Sequence, residues 1–240
     1  MRGQAENRCL SPHPETMRNP KEAKLFLKSL HEEGIEEIYI PAREKGPGSG
    51  FLPVPSEALL KLREQTLACT LCHELATTRK NVVFGSGSPH AKLMFIGEAP
   101  GSEEDIQGVP FVGRAGQLLT KIIESIGLTR EEVFIANTLK CRPPGNRPPQ
   151  PNEIRNCRPY LLKQIELIGP KIICALGTFA AQTILESETT ISRLRGQFYE
   201  KNGLKIIATF HPAYLLRNPG EKRKVWEDMK MIRRELDAQA

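Results

Sequence analysis

Four short apolar runs alternate with longer amphipathic stretches, and this alternation constrains the fold of the 240-residue chain more than any other feature. The runs are rich in β-branched residues, and the stretches between them repeat apolar residues at helical spacing. Such alternation is typical of βαβ units, whose parallel strands form one sheet with helices on both faces. We therefore predict strands at 92–97, 133–138, 171–177 and 205–210, and helices near 115–126, 152–168, 178–186 and 221–237.

The first 50 residues lie outside this pattern. Residues 1–50 are predicted to form an N-terminal extension that is partly disordered, with a helix over 20–33 and a glycine-rich linker at 45–50. The extension is too small to bury a core of its own. Residues 51–240 are predicted to form the main domain, which begins with a helix capped by Ser56.

The charge balance indicates the kind of partner, and the lack of long apolar runs indicates the compartment. The chain carries 34 basic and 28 acidic residues, a net charge of +6 that favours a polyanionic partner without identifying it. No apolar run reaches the 18 or so residues of a membrane span, and the first residues contain no apolar signal-peptide core. We therefore expect no membrane partner and a cytoplasmic location.

Polar and glycine residues follow each predicted strand. In open parallel sheets, ligands bind beyond the carboxyl ends of the strands, so these residues are candidates for one site. No G-x-x-x-x-G-K-[ST] loop is present, and the glycines of the first candidate do not fit G-x-G-x-x-G, which excludes the two common nucleotide-binding loops. The candidates are Gly97-Glu98-Ala99-Pro100-Gly101, Asn137, Gly177-Thr178 and His211.

Four cysteines flank the first two candidates, with the spacing C-x2-C, 68 residues, then C-x15-C: Cys69, Cys72, Cys141 and Cys157. A disulfide framework is unexpected in a chain with no sign of export. Structural zinc accepts four thiolates, but C-x15-C is looser than the usual zinc knuckle. An iron–sulfur cluster tolerates more scattered ligands, so the spacing favours a cluster and leaves zinc open. Cys174 lies within an apolar run and is predicted to be a core residue.

Several segments resemble the family 4 uracil-DNA glycosylases, the iron–sulfur members of the uracil-DNA glycosylase superfamily. The resemblance runs in continuous order over about residues 57–237 and includes all four cysteine positions. The segments that carry it are GEAPG-x-x-ED at 97–105, FVGRAGQLL at 111–119, IANTLKCRPP at 135–144 and HPAYLLR at 211–217.

The resemblance implies a three-layer αβα sandwich with a four-stranded parallel central sheet. It also implies a 4Fe–4S cluster held by the four cysteines, in preference to zinc. The implied activity is that of a monofunctional hydrolase of base excision repair, which releases free uracil from DNA and leaves an abasic site. Its partner would be uracil-containing DNA, single- or double-stranded.

The resemblance also assigns roles around the uracil. Phe111 matches the residue that stacks on the base, and the amide of Asn137 can donate to uracil O4 and accept from N3–H, whereas cytosine presents the opposite polarity. Glu104 matches a position that closes the pocket against a thymine methyl. His211 would stabilise the departing uracil anion, together with backbone N–H groups of the Gly97, Glu98 and Ala99 segment.

Two further roles complete the expected site. The better-known family 1 enzymes use an aspartate to activate water where this chain has Ala99, so we assign that role to the neighbouring Glu98. Three residues that lie shortly after His211 in the sequence are predicted to contact DNA. They would fill the gap left by the flipped base and hold phosphate: Leu215, Leu216 and Arg217.

Two other functions remain open. One is a non-catalytic iron–sulfur module that captures uracil-containing DNA, and the other is a glycosylase that also excises other deaminated bases. We expect a monomer in the cytoplasm of a prokaryote, associated with the nucleoid, with a sliding clamp as a candidate partner.

Overall fold

A six-stranded sheet organises residues 55–238, the part of the protein that the computed structural model describes. The predicted N-terminal helix and linker lie outside the described residues. The order of strands across the sheet is β1-β3-β2-β4-β6-β5. The strands are β1 (Ser86–Gly87), β2 (Leu93–Gly97), β3 (Phe134–Asn137), β4 (Ile172–Leu176), β5 (Phe198–Lys201) and β6 (Leu204–Thr209).

Helices connect the strands and cover the sheet. Within residues 55–238 they are α1 (Glu57–Leu67), α2 (His73–Thr78), α3 (Ser102–Gln107), α4 (Arg114–Ser125), α5 (Pro151–Ile168), α6 (Thr178–Leu185), α7 (Ile191–Leu194), α8 (Pro212–Arg217) and α9 (Lys222–Ala238). Short 3-10 turns occur at Pro144–Asn146 and Pro219–Glu221. None of the helices in this part of the chain is both long enough and apolar enough to span a membrane.

Each face of the sheet packs against its own apolar core, because successive side chains of a strand point to opposite faces. Phe95 and Cys174 belong to the core that α4, α8 and α9 cover, whereas Met94 and Ile173 belong to the core beneath α1, α5 and α6. The prediction of an α/β fold with helices on both faces is therefore confirmed, and so is the core position of Cys174.

The strand count is where the expectation was wrong. Four central strands, in the order β3-β2-β4-β6, are parallel as predicted, but β1 and β5 add one antiparallel strand at each edge. Asn202 and Gly203 connect β5 to β6 with φ angles of 54° and 74°, the left-handed conformation that an Asn-Gly hairpin turn requires. Strand β1 has only two residues. At Gly87 a Cβ atom would lie 1.9 Å from the Val133 carbonyl oxygen, so a side chain is excluded there.

Candidate active site and cysteine cavity

The carboxyl ends of β2 and β3 bring two predicted site residues side by side. Gly97 pairs with Asn137 in the parallel register, and the Thr138 N–H donates to the Gly97 carbonyl at 2.9 Å. A Cβ atom at position 97 would lie 2.4 Å from Asn137 Oδ1 and 2.6 Å from Phe111 Cζ. Glycine is therefore required at position 97, because any side chain there would collide with both neighbours.

The amide of Asn137 is buried with its oxygen unused. The residue is 2% exposed, and Oδ1 has no hydrogen-bond partner. An unpaired buried acceptor costs about 1–3 kcal/mol, so native proteins rarely keep one without a functional reason. The oxygen is thus available to accept a hydrogen bond from a ligand that enters this end of the sheet.

Phe111 is held against this amide in an uncommon backbone conformation. Its φ angle is 53°, in the left-handed region that phenylalanine seldom adopts. The carboxylate of Glu104 accepts from the backbone N–H groups of Val112 and Gly113 at 2.9 and 3.0 Å. At Gly116 a Cβ atom would lie 1.9 Å from the Phe111 carbonyl oxygen, so α4 can approach only through a glycine. Glu104 therefore positions the segment that carries the aromatic ring.

His211 completes the aromatic side of the site, with its ring centroid 5.5 Å from that of Phe111. The residue is the N-cap of α8, where its Nδ1 accepts from the Ala213 N–H at 3.1 Å. This hydrogen bond leaves the single proton of the neutral ring on Nε2. Burial, with a smaller effect of the nearby Arg217 charge, lowers the pKa of His211 to about 4. The neutral ring can therefore donate one hydrogen bond at physiological pH.

Glu98 and Ala99 lie between β2 and α3, beside this cluster. Both are half-buried, and the Leu139 N–H donates to the Glu98 carbonyl at 3.0 Å. Burial raises the pKa of the Glu98 carboxyl. A carboxylate in such a place has the raised basicity that a general base for water requires.

The three residues predicted to contact DNA divide between core and surface. Leu215 is 1% exposed and packs in the core beneath α4, α8 and α9, so its side chain is not presented at the surface of this structure. Leu216 is 38% exposed and Arg217 is also exposed, as is Tyr214. Helical geometry explains the difference, since successive residues of α8 point in directions about 100° apart.

The four predicted cysteine ligands line one cavity. Cys69 follows α1, Cys72 caps α2, Cys141 lies four residues after Asn137, and Cys157 is in α5. All four thiols are free and partly buried. Among residues 55–238, no group of three or more histidine, cysteine or acidic residues is arranged to hold a single metal ion. The structure nevertheless brings the four thiols, from segments that are far apart in the sequence, to one cavity.

Three of the four sulfurs receive a hydrogen bond from a neighbouring donor, and Tyr160 interacts with the fourth, Cys69. Donors of this kind stabilise thiolates and tune the groups that thiolates bind. The shortest of these hydrogen bonds is 3.0 Å, from Arg79 Nη1 to Cys141 Sγ. Arg79 also donates to the Cys69 carbonyl at 2.8 Å. The donors are Asn156 Nδ2 to Cys72, Arg79 Nη1 to Cys141 and the Lys140 backbone N–H to Cys157.

Burial in the cavity disfavours the thiolate forms unless positive charge is bound there. Burial raises the pKa of Cys157 to about 11 and also raises that of Cys141. Four thiolates at this spacing would repel one another unless positive charge lay between them. The donor set and the cavity are thus suited to a group that deprotonates all four thiols on binding.

A buried lysine between the cysteine cavity and Asn137 was missed in the sequence. Lys140 is 1% exposed, and its Nζ donates to the Asn137 carbonyl at 2.8 Å and to Gln164 Oε1 at 2.5 Å. Desolvation lowers its pKa to about 8, against the opposing effect of Cys157 and Cys141. A lysine in a polar stretch is ordinarily exposed, so no local signal indicates this position.

The structure brings the predicted uracil-binding residues to one edge of the sheet and the predicted cluster ligands to one cavity beside it. The sequence profile of the Uracil DNA glycosylase superfamily matches residues 84–230. A type-4 uracil-DNA glycosylase of Archaeoglobus fulgidus is 45% identical over 184 residues, which cover 73% of this chain and 92% of that protein. Type-4 uracil-DNA glycosylases of Sulfurisphaera tokodaii and Thermotoga maritima are 44% and 46% identical, over 74% and 69% of this chain and 84% and 88% of theirs. The chain belongs to the uracil-DNA glycosylase superfamily and, within it, to the type-4 uracil-DNA glycosylases.

Proposed function

We propose that this protein hydrolyses the N-glycosidic bond of uracil in DNA, releasing free uracil and leaving an abasic site for base excision repair. The observation that carries the proposal is the buried, unpartnered oxygen of Asn137 beside an aromatic ring and a neutral histidine. Family membership supports the same reaction. The base must leave the duplex to reach this edge, as in other enzymes that act on a base.

Recognition of uracil rests on the Asn137 amide. Its Oδ1 accepts from uracil N3–H and its Nδ2 donates to O4, while Phe111 stacks on the ring. Cytosine presents an acceptor at N3 and a donor at C4, so it would leave both amide groups unpaired in a dry site. Such a mismatch discriminates strongly because buried polar groups are costly when unsatisfied. Gly97 leaves the floor of the pocket open, and Glu104 closes it by holding the Phe111 segment.

Stabilisation of the leaving group is assigned to His211. When the bond between N1 and C1′ breaks, the electron pair stays on uracil and negative charge develops at O2. The Nε2–H of a neutral histidine, assisted by backbone N–H groups near Glu98 and Ala99, donates to that charge. A low histidine pKa suits this role, because the ring remains neutral above about pH 5.

Glu98 is proposed to activate the water. The sugar becomes cation-like as uracil leaves, and water adds to C1′ while the carboxylate takes its proton. Burial supports this role by raising the carboxyl pKa. Leu216 and Arg217 are proposed to contact the DNA, which is single- or double-stranded, on the exposed side of α8.

A 4Fe–4S cluster is the group proposed for the cysteine cavity. Cys69, Cys72, Cys141 and Cys157 would each supply one thiolate, and the cluster when bound would brace these segments against each other. The step at the glycosidic bond uses none of these four residues. We also propose that the protein acts as a monomer in the prokaryotic cytoplasm, next to the nucleoid, with a sliding clamp as a candidate partner.

Release of uracil from a defined oligonucleotide tests the proposal. Wild-type protein should convert a single-uracil strand into an alkali-cleavable product, and Asn137→Ala should slow this by about 100-fold or more. Asn152→Ala is the matched control, since Asn152 is exposed at the start of α5. Full activity of Asn137→Ala would contradict the pocket assignment. A gel shift without product would favour the non-catalytic module, and equal release of hypoxanthine would favour the broader glycosylase.

A further inference from the structure

Lys140 lies in the chain between Asn137, which is proposed to recognise uracil, and Cys141 of the cysteine cavity. It follows Asn137 by three residues and immediately precedes Cys141. Its ammonium donates to the Asn137 carbonyl at 2.8 Å, while its backbone N–H donates to Cys157 Sγ at 3.2 Å. One residue therefore binds the main chain of the pocket with its side chain and a predicted cluster ligand with its backbone.

The side chain of Lys140 is enclosed on every side. Its second acceptor, Gln164 Oε1, belongs to a fully buried residue of α5 whose Nε2 in turn donates to the Phe84 carbonyl at 2.9 Å. The Lys140 carbonyl accepts from the Val83 N–H at 2.7 Å. These bonds join the end of β3 to α5 and to the segment that leads into β1, and they leave the ammonium little freedom to move.

The charge of this ammonium lacks a carboxylate partner at either of its acceptors. Both are neutral carbonyl oxygens, and burying a cation without a counter-charge is costly. The ammonium is therefore held by its two hydrogen bonds, one of which fixes the main chain of Asn137. The backbone N–H of the same residue donates to Cys157 Sγ, so Lys140 links the position of a predicted cluster ligand to the position of the Asn137 main chain.

We infer that Lys140 is a positioning residue that couples the cysteine site to Asn137, because its ammonium binds the Asn137 main chain while its backbone N–H binds Cys157 Sγ. The inference rests on the proposed uracil pocket and adds to it the residue that orients the Asn137 amide. Lys140 touches neither the base nor the sugar in this scheme. Its effect passes through the Asn137 main chain, and this predicts that the two residues do not act independently.

Binding of non-cleavable probes to the iron-loaded protein tests the inference. The probes are oligonucleotides with one 2′-fluoro-2′-deoxyuridine or one 2′-fluoro-2′-deoxycytidine, and the readout is the ratio of their dissociation constants. Lys140→Met should keep its iron and reduce the preference for uracil by about tenfold to a hundredfold, as supporting residues of metal sites do. Lys163→Met is the control, because that lysine is exposed on α5.

A double-mutant cycle separates positioning from general destabilisation. If Lys140 acts through Asn137, then Lys140→Met should cause little further loss of preference in an Asn137→Ala background. Losses that multiply, or an unchanged preference in Lys140→Met, would overturn the inference. Failure of wild type and Lys163→Met to release uracil would instead count against the proposed function, since the binding ratio does not depend on turnover.

A second variant decides the question if Lys140→Met fails to fold or loses iron. Gln164→Leu removes one acceptor of the ammonium from a position seven residues beyond Cys157 and leaves the sulfur contacts intact. The expected result is full iron content with a smaller reduction in the preference for uracil, about threefold to tenfold. An unchanged preference in iron-loaded Gln164→Leu would overturn the inference.

Discussion

The cysteine cavity lies beside the uracil edge, the sheet edge that carries Gly97, Asn137, Phe111 and His211, yet the two sites satisfy their polar groups in opposite ways. Three of the four sulfurs of the cavity have a hydrogen-bond donor from the protein itself. At the uracil edge, the buried Asn137 Oδ1 has none, and His211 is kept neutral. A site that is complete without substrate is suited to holding the fold, whereas a site with an unmet hydrogen bond is suited to binding a ligand.

Loss of a cysteine ligand should have the largest effect, because it removes the bound group and its folding free energy together. We expect Cys141→Ala to lose most of its iron, to unfold with a free energy lower by about 3 kcal/mol or more, and to lose uracil release as well. Iron content and urea unfolding measure this.

Cys174→Ala provides the control for Cys141→Ala, since Cys174 is a buried thiol of β4 outside the cavity. It should keep its full iron content despite some loss of stability. Equal iron loss in both variants would remove the distinction between the cavity and the core.

The next largest effect is expected from an added side chain at position 97, which should lower activity without loss of iron. The methyl group of Gly97→Ala would lie 2.4 Å from Asn137 Oδ1 and must displace the amide or the Phe111 ring. A shift of that size at the reacting end of a site lowers activity by about 100-fold, while iron content should not change. Uracil release and iron analysis test this against Gly220→Ala, whose added methyl meets no atom within 4 Å. Activity near that of wild type would show that the edge is not the pocket.

We expect acid to lower the free energy of unfolding through protonation of His211. The folded pKa of about 4 is below the ordinary value of about 6.5, so the unfolded chain binds the proton more readily between these values. The stability that this group contributes is complete above about pH 6.5 and is lost as the pH falls through about 4, with a total of at most about 3 kcal/mol. Urea unfolding at pH 7.5 and 4.5 should therefore show a smaller acid loss in His211→Gln than in wild type. Parallel losses would contradict the neutral assignment.

The smallest effect is expected at the exposed leucine of α8. Leu216→Ala should leave the free energy of unfolding within about 0.5 kcal/mol of wild type. It should weaken binding to uracil-containing DNA by a few fold, measured by fluorescence anisotropy, because an apolar contact to the opened strand is lost. Leu162→Ala is the matched control, an exposed leucine on α5. Equal weakening in both variants would contradict a specific contact at Leu216.

Much of the fold could be predicted because its signals are local. The strands β2, β3, β4 and β6 follow from apolar runs, and Ser56 caps α1 as its position predicts, accepting from the Leu59 N–H at 3.2 Å. The edge strand β1 could not be predicted in this way, since two residues carry no periodic pattern. Strand β5 did have a signal in Asn202-Gly203, but its own residues are only partly buried and lack an apolar run.

By itself, the sequence determined the alternation of strands and helices, the cysteine spacing and the family, because periodicity and motifs are properties of neighbouring residues. Only the tertiary structure decided that Leu215 is buried while Leu216 is exposed, that Lys140 lies beneath Asn137, and that the Asn137 oxygen has no partner. Burial and hydrogen bonding depend on segments that are distant in the chain, and their positions are set only when both faces of the sheet have packed.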